Sequence, residues 1–220
     1  MTTMRIGLIH SVIPAIVAVE SALREHWPEA QAASVYDQSL YIDLAEDRSL
    51  TPAHFDRIAQ LLRYSAGCGA DAILVTGSLF GPAVVAARDE FDIPVLTSFD
   101  ALIDQALTLG DRFTLLATDP GTNRMLGAEL TRRAEAAGQD LSFESHHTSG
   151  AIERLQQGDQ AGHDRLVVEQ AEQSAPSDAI LLGQFSMGPT RPLVQARVEC
   201  PVLDAAEAAV HKLKAHFTGA

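Results

Sequence analysis

The sequence has few of the residues that mark disulfide-rich and membrane proteins. Only two cysteines, Cys68 and Cys200, occur in 220 residues, too few for a disulfide scaffold or a site built from several thiolates. No apolar run reaches the roughly 18 residues that a bilayer-spanning helix needs. The opening segment lacks the polar cleavage region of a signal peptide and is interpreted as a first strand. We therefore predict a cytoplasmic protein without a membrane partner.

Basic residues and nucleotide-binding motifs are also scarce. The 16 Lys and Arg residues face 29 Asp and Glu residues, which gives a formal net charge of −13. An acidic surface repels phosphate backbones, so we predict no nucleic-acid partner. The motifs GxGxxG, GxxxxGK[ST] and GxSxG are absent. His146, His147 and His163 have no partner at ligand spacing, which argues against a metal site.

Short apolar segments alternate with segments of helical periodicity. The expected strands are residues 5–9, 33–36, 72–75 and 95–96. The expected helices cover residues 13–26, 52–66, 82–90 and 205–217. Thr51 before Pro52 is a typical helix start. Strands that alternate with helices predict an α/β protein with a parallel sheet.

An internal repeat is the most informative feature of the sequence. DAILVTGSLFGP, from Asp71 to Pro82, and DAILLGQFSMGP, from Asp178 to Pro189, share six of twelve positions at an offset of 107. The same offset aligns PVL at 94 with PVL at 201, and RIGLI at 5 with RFTLL at 112. We interpret this as a duplication, with residues 1–98 and 205–220 in the first half and 99–204 in the second.

The repeat pairs residues that follow equivalent strands. The pairs are Ser11 with Thr118, Gly77 with Gln184, Ser78 with Phe185, and Leu79 with Ser186. Each residue comes just after the carboxyl end of an expected strand, where open α/β sheets bind ligands. Two halves that face each other would place Gly77 and Gln184 on opposite walls of one cleft.

At these segments the chain resembles the aspartate/glutamate/hydantoin racemase superfamily, which includes arylmalonate decarboxylases and maleate isomerases. The resemblance covers nearly the whole chain and is carried by RIGLIHS, DAILVTGSLFGP, FTLLATDPGTN and DAILLGQFSMGP. It implies two pseudo-symmetric parallel-sheet α/β halves in three αβα layers, with the site in the cleft between them. It also implies a small carboxylate as substrate or ligand, no cofactor, and a homodimer as one option.

The resemblance further implies a mechanism that this sequence cannot follow unchanged. In the racemases, one cysteine thiolate removes the proton beside the carboxylate and an opposite thiol delivers one. Gly77 and Gln184 stand at those two positions here. Arylmalonate decarboxylases also have the glycine, but they keep the second cysteine. We expect Cys68 and Cys200 to be buried small hydrophobic residues, so a decarboxylase or lyase reaction fits better than two-thiol racemisation.

Hydroxyl groups remain as candidate ligands of a carboxylate. They are contributed by Ser11, Ser78, Thr118, Thr122 and Ser186. With backbone N–H groups at helix N-termini they can hold an anion, although Ser and Thr also cap helices after strands in general. The resemblance places carboxylate binding in the loop from Thr118 to Thr122, where Asp119 would oppose an anion unless it points away.

Three other side chains complete the candidate polar groups. His10 is the surviving candidate for a general acid or base, or else it satisfies backbone groups at a strand end. Gln184 can orient a substrate or polarise a carbonyl group through hydrogen bonds. Tyr41 lies where the resemblance expects substrate contacts, as a donor or as a packed ring. The predicted substrate-binding residues also include Leu79 and Phe185.

Three functions stay open from the sequence. The first is a cofactor-independent isomerase, decarboxylase or lyase that acts on a small carboxylate through a carbanion or enediolate, whose charge preorganised donors can stabilise. The second is a non-catalytic protein that binds small carboxylates. The third is a Cys-to-Gly variant of a one-cysteine enzyme, which predicts that Gly77→Cys creates or raises activity.

Overall fold

A computed structural model describes residues 3–219 of the chain. These residues form two compact units, the first of residues 3–101 with 206–219 and the second of Leu102–Ala205. Each unit contains one four-stranded sheet in which all pairings are parallel. The α/β class predicted from the sequence is confirmed.

The first unit follows the expected alternation. Its elements are β1 (Arg5–His10), α1 (Ile13–His26), β2 (Gln31–Tyr36), α2 (Ser39–Ile42), α3 (Pro52–Gly67), β3 (Ala72–Val75), α4 (Gly81–Ala87) and β4 (Val95–Leu96). Short 3₁₀ turns at Ser78–Phe80 and Arg88–Glu90 flank α4, so the expected helix over 82–90 is shorter than predicted. The sheet order is β2-β1-β3-β4. Helix α5 (Asp100–Ala106) leads into the second unit.

The second unit repeats this plan. Its elements are β5 (Arg112–Ala117), α6 (Pro120–Ala137), β6 (Ser142–His147), α7 (Ala151–Gln156), α8 (Gln160–Glu172), β7 (Ala179–Leu182), a 3₁₀ segment (Phe185–Thr190), α9 (Arg191–Gln195) and β8 (Val202–Asp204). The sheet order is β6-β5-β7-β8, the same as in the first unit. Helix α10 (Ala205–Thr218) follows β8, and the chain from residue 206 belongs to the first unit.

Apolar side chains pack on both sheets. In the first unit, Ile58 and Leu62 of α3 are fully buried with Phe80, which follows β3. In the second, Val167 of α8 packs with Met187, the residue at the repeat position of Phe80. Burial of each such side chain stabilises the fold by about 1.5–3 kcal/mol. The cores hold the strands in register, so the loops at their carboxyl ends have fixed starting points.

The helix start at Thr51 is confirmed. Helix α3 begins at Pro52, and the backbone N–H of Thr51 donates to Nδ1 of His54 at 3.1 Å, as in a capping box. Strand β2 begins at Gln31, two residues before the predicted start. Gln31 pairs with Arg5 at the edge of the sheet, where an exposed strand needs no apolar residue. No helix in the described range is both long and apolar enough to cross a membrane.

Candidate active site

Ser11 and Gly77 lie together at the carboxyl edge of the first sheet. Strand β1 ends one residue before Ser11, and β3 ends two residues before Gly77. Because Ile9 of β1 pairs with Val75 of β3, the loops after both strands start side by side. A Cβ atom added to Gly77 would lie 3.1 Å from Oγ of Ser11.

The ring of Phe80 occupies the space that a side chain at Gly77 would need. A Cβ at position 77 would lie 2.6 Å from Cδ2 of Phe80, and Phe80 is only 1% exposed. The φ angle of Gly77 is −77°, which any residue can adopt. Glycine is therefore required here by lack of space and not by backbone conformation.

His10 is completely buried and bonded on both sides of its ring. Its Nδ1 lies 3.0 Å from Oγ1 of Thr76, and its Nε2 lies 3.4 Å from Oγ of Ser34. Ser34 in turn donates to Oε1 of Glu20 at 2.8 Å. Burial lowers the pKa of His10 from 6.5 to about 4, against a smaller opposite effect of the Glu20 charge. The ring is thus neutral at neutral pH.

The hydrogen-bond directions select one tautomer of His10. Since the Ser34 hydroxyl donates to Glu20, its oxygen accepts from Nε2–H of His10, and Nδ1 is left to accept from the Thr76 hydroxyl. The carbonyl oxygen of Ile9, 3.3 Å away, is the other acceptor within reach of that hydroxyl. Glu20, Ser34, His10 and Thr76 form a continuous series, which we call the His10 relay. It ends at the residue before Gly77.

In the second unit, Gln184 binds to Thr118. The backbone N–H and the hydroxyl of Thr118 both donate to Oε1 of Gln184, at 2.6 and 2.9 Å. A backbone N–H can only donate, so the amide oxygen faces Thr118 and the NH₂ group faces away. The donors that the sequence assigned to a substrate carboxylate are therefore satisfied by an internal amide oxygen.

Asp119 caps helix α6 in the same loop. Its Oδ1 accepts from the backbone N–H groups of Gly121 at 2.8 Å and of Thr122 at 3.2 Å. A carboxylate at this position stabilises the helix through its dipole and repels a second anion. The side chain of Thr122 is 1% exposed, and its methyl group lies 3.4 Å from a Cβ added to Gly183. Asp119 thus does not point away from the loop, but uses the N–H groups itself.

A family model for Asp/Glu/Hydantoin racemase matches residues 15–213. The chain belongs to this family. No curated protein matches the sequence significantly. The resemblance drawn from the sequence motifs is thereby confirmed.

Several solved structures have the same fold. Allantoin racemase from Klebsiella pneumoniae has a TM-score of 0.77 at 19% identity, over 98% of this chain and 88% of that one. Glutamate racemase from Francisella tularensis in complex with D-glutamate has a TM-score of 0.73 at 14% identity, over 99% and 82%. A glycine-to-cysteine mutant of arylmalonate decarboxylase, in a sulfate-associated form, has a TM-score of 0.67 at 22% identity, over 98% and 94%.

Both thiols of this racemase-family chain lie at the amino edges of their own sheets. Cys68 follows α3, and its carbonyl oxygen accepts from Arg5, the first residue of β1, at 2.6 Å. Cys200 precedes β8, and its Sγ lies 4.0 Å from Oγ of Ser177, just before β7. The expectation that both are buried was wrong for Cys68, which is exposed because it lies in the surface turn after α3. Cys200 is half-buried.

The remaining candidate residues differ in how far they are buried. Ser78 and Ser186 are half-buried in the 3₁₀ segments after β3 and β7. Leu79 and Phe185 are 4% and 2% exposed, so their side chains pack in the core in this conformation. Tyr41 of α2 is half-buried, with the guanidinium of Arg48 4.9 Å from its ring centroid, a cation–π contact.

Sequence reasoning missed His147 as an acid or base. It ends β6, is exposed, and its Nε2 lies 3.2 Å from the carbonyl oxygen of Thr118. It lines a surface groove of about 650 Å³ with Asn123 and Arg124. His147 has the place in β6 that Tyr36 has in β2, but the repeat offset of 107 aligns Tyr36 with Phe143, so the sequence carried no signal for it. Within residues 3–219, no cluster of three metal-ligating side chains includes any residue of this candidate site.

Proposed function

We propose that this protein is a cofactor-independent enzyme that acts on a small carboxylate through a carbanion or enediolate. The His10 relay carries this proposal. Burial of the His10 ring and the Thr76 hydroxyl costs free energy unless both are hydrogen-bonded, as they are here, and strongly shifted ionisable groups concentrate at functional sites. The relay ends at Thr76, beside the Gly77 and Ser11 pair. We assign to His10 the positioning of Thr76, since the ring itself is buried.

The chemistry follows from the donors at this edge. When a bond to the carbon beside a carboxylate breaks, its electron pair spreads onto the carboxylate oxygens. A preorganised hydroxyl such as that of Ser11 stabilises this charge without reorganisation. Gly77 adds no side chain between Ser11 and a ligand. The D-glutamate bound to one family member and the sulfate associated with another support a small anion as ligand.

A decarboxylase or lyase is favoured over a two-base racemase. Racemisation by two side chains needs an acid and a base at the positions of Gly77 and Gln184, and neither residue titrates. Decarboxylation needs one proton donor and elimination needs one base, so neither reaction requires titrating side chains at both positions. The cytoplasmic location and the homodimer stay predictions.

Carboxylate binding without turnover is the second candidate. The two hydrogen bonds from Thr118 to the Gln184 amide oxygen favour this candidate, because an oxygen of a bound ligand can take the place of that amide oxygen reversibly. The third candidate, a one-cysteine enzyme that has lost its thiol at position 77, would require Phe80 to move before a cysteine fits. It is therefore tested with Gly77→Cys in combination with Phe80→Leu.

Proton NMR in D₂O separates these candidates. The wild type and Ser11→Ala are incubated with amino acids, hydantoins, malonates and hydroxy acids. Loss of an α-proton signal or a cleavage product with wild type, reduced in Ser11→Ala, is the expected result. Saturation transfer to a carboxylate without exchange or product would favour binding alone. Turnover restricted to Gly77→Cys/Phe80→Leu would favour the third candidate.

A further inference from the structure

We propose that His26, Glu207 and His211 form a binding site for a divalent transition metal in the first unit. One ligand atom from each residue lies within 4.8 Å of the other two. His211 Nε2 is 3.5 Å from Glu207 Oε1, and the ring centroids of His26 and His211 are 4.7 Å apart. Zinc bonds of about 2.0–2.2 Å hold ligand atoms roughly 3.4 Å apart in a tetrahedral site, so small side-chain rotations complete the geometry.

The backbone already holds the three residues in place. Glu207 and His211 are four residues apart on α10 and so share one face of the helix. His26 is the last residue of α1, and its carbonyl oxygen accepts from Nζ of Lys214 at 2.7 Å. The Trp27 and Phe217 rings pack next to this point at 5.9 Å. The end of α1 and helix α10 are therefore fixed together without any metal.

The ligand set selects the class of metal. Two imidazoles and one carboxylate suit Zn²⁺, Co²⁺, Ni²⁺ and Cu²⁺, whereas Mg²⁺ and Ca²⁺ prefer sites made of oxygen atoms. Glu25, whose Oε2 is 4.0 Å from Nε2 of His26, adds negative charge. Lys214 contributes a positive charge close by, but its ammonium group is bonded to a carbonyl oxygen. His211 is exposed, which gives the metal a route of entry.

The site is separate from the candidate active site. Helix α1 begins after the carboxyl end of β1 and returns to the amino edge of the sheet before β2, so His26 lies at the opposite edge from Ser11. A metal bound there would link α1 to α10 and raise stability by mass action. Ligand spacing in the sequence does not reveal this site, because His26 is far from Glu207 and His211 along the chain.

Metal titration of the full chain without a histidine tag tests this proposal. The protein is first treated with a chelator and then titrated with ZnCl₂ in a calorimeter, with CoCl₂ absorption as a second readout. We expect one equivalent per chain, and a Tm increase of roughly 5–10 °C at a hundredfold excess over Kd. MgCl₂ should leave Tm unchanged.

Matched histidine variants decide whether the named residues bind the metal. His26→Gln and His211→Gln should lose about tenfold or more in zinc affinity, while His216→Gln, on the same helix, should bind like wild type. Circular dichroism checks that each variant is folded. Absence of zinc binding by the folded wild type, or equal affinity in wild type and His211→Gln, would overturn the proposal.

Discussion

The side-chain oxygen of Gln184 accepts two hydrogen bonds from Thr118, one from its backbone N–H and one from its hydroxyl. The equivalent pair in the first unit, Ser11 and Gly77, has no such contact, because glycine has no side chain to offer. The two units of one fold thus present different surfaces to a ligand. In the first unit the Ser11 hydroxyl lies beside Gly77, whereas in the second unit both donors of Thr118 are already bonded to Gln184.

Removal of the Gln184 side chain should make the thermal stability of the protein depend on an added carboxylate ligand. Gln184→Ala leaves the N–H of Thr118 without its acceptor, which costs about 1–3 kcal/mol. A bound carboxylate oxygen can replace it, so malonate should raise the Tm of Gln184→Ala more than that of wild type. Thermal unfolding with and without malonate measures both effects.

Gln195 provides the matched control for this experiment. Its Oε1 accepts from the N–H of Val202 at 2.9 Å in the same unit, but this contact lies at the start of β8, at the amino edge of the sheet. Gln195→Ala should lower Tm without any rescue by malonate. Equal rescue of both variants would refute the idea that Gln184 occupies a carboxylate position.

A side chain at Gly77 should destabilise the first unit through contact with Phe80. Gly77→Ala is expected to cost about 1–3 kcal/mol, as overpacked cores do. Gly81→Ala is the control, since nothing lies within 4 Å of a Cβ there. Urea unfolding of Gly77→Ala, Phe80→Leu and the double variant gives a cycle in which the double variant should lose less than the sum of the single losses. A purely additive result would contradict this contact.

His10 should make the protein less stable in mild acid. Its folded pKa of about 4 lies below the unfolded value of 6.5, so between these values the unfolded chain binds more protons. The contribution of neutral His10 to the free energy of unfolding is fully present above the unfolded pKa. It is lost as the pH falls towards the folded pKa, and the total loss is about 3 kcal/mol. Urea unfolding of wild type and His10→Gln over this range should give a smaller pH dependence for the variant, whereas His216→Gln should behave like wild type.

Thr76 should affect turnover once a substrate is found. Thr76→Val keeps the shape of the side chain but removes the hydroxyl that bonds to His10, and should lower kcat/KM by about tenfold or more. Thr76→Ser restores the hydroxyl and should recover most of the loss. Steady-state kinetics over pH tests this, and a Thr76→Val enzyme with wild-type kcat/KM would remove the His10 relay from the mechanism.

The sequence predicted the strands better than the side-chain partners. Strands β3 and β4 match the expected ranges, and β1 and β5 begin and end 107 residues apart, as the repeat requires. Buried parallel strands are short continuous apolar runs, so they are visible in sequence. The partners of His10 were not predictable, since Ser34 and Glu20 come from different elements and have no shared spacing. The direction of the Gln184 amide likewise depends on a hydrogen bond that only coordinates reveal.

The path of the chain through the two units sets an order for folding during synthesis. The second unit is continuous, from Leu102 to Ala205, whereas the first needs residues from 206 onward. Helix α10 supplies Lys214 and Phe217, which contact His26 and Trp27 at the end of α1. During synthesis, the first unit therefore cannot complete its packing until α10 has been made, although most of its residues are made early. The second unit has all of its residues once Ala205 has been added.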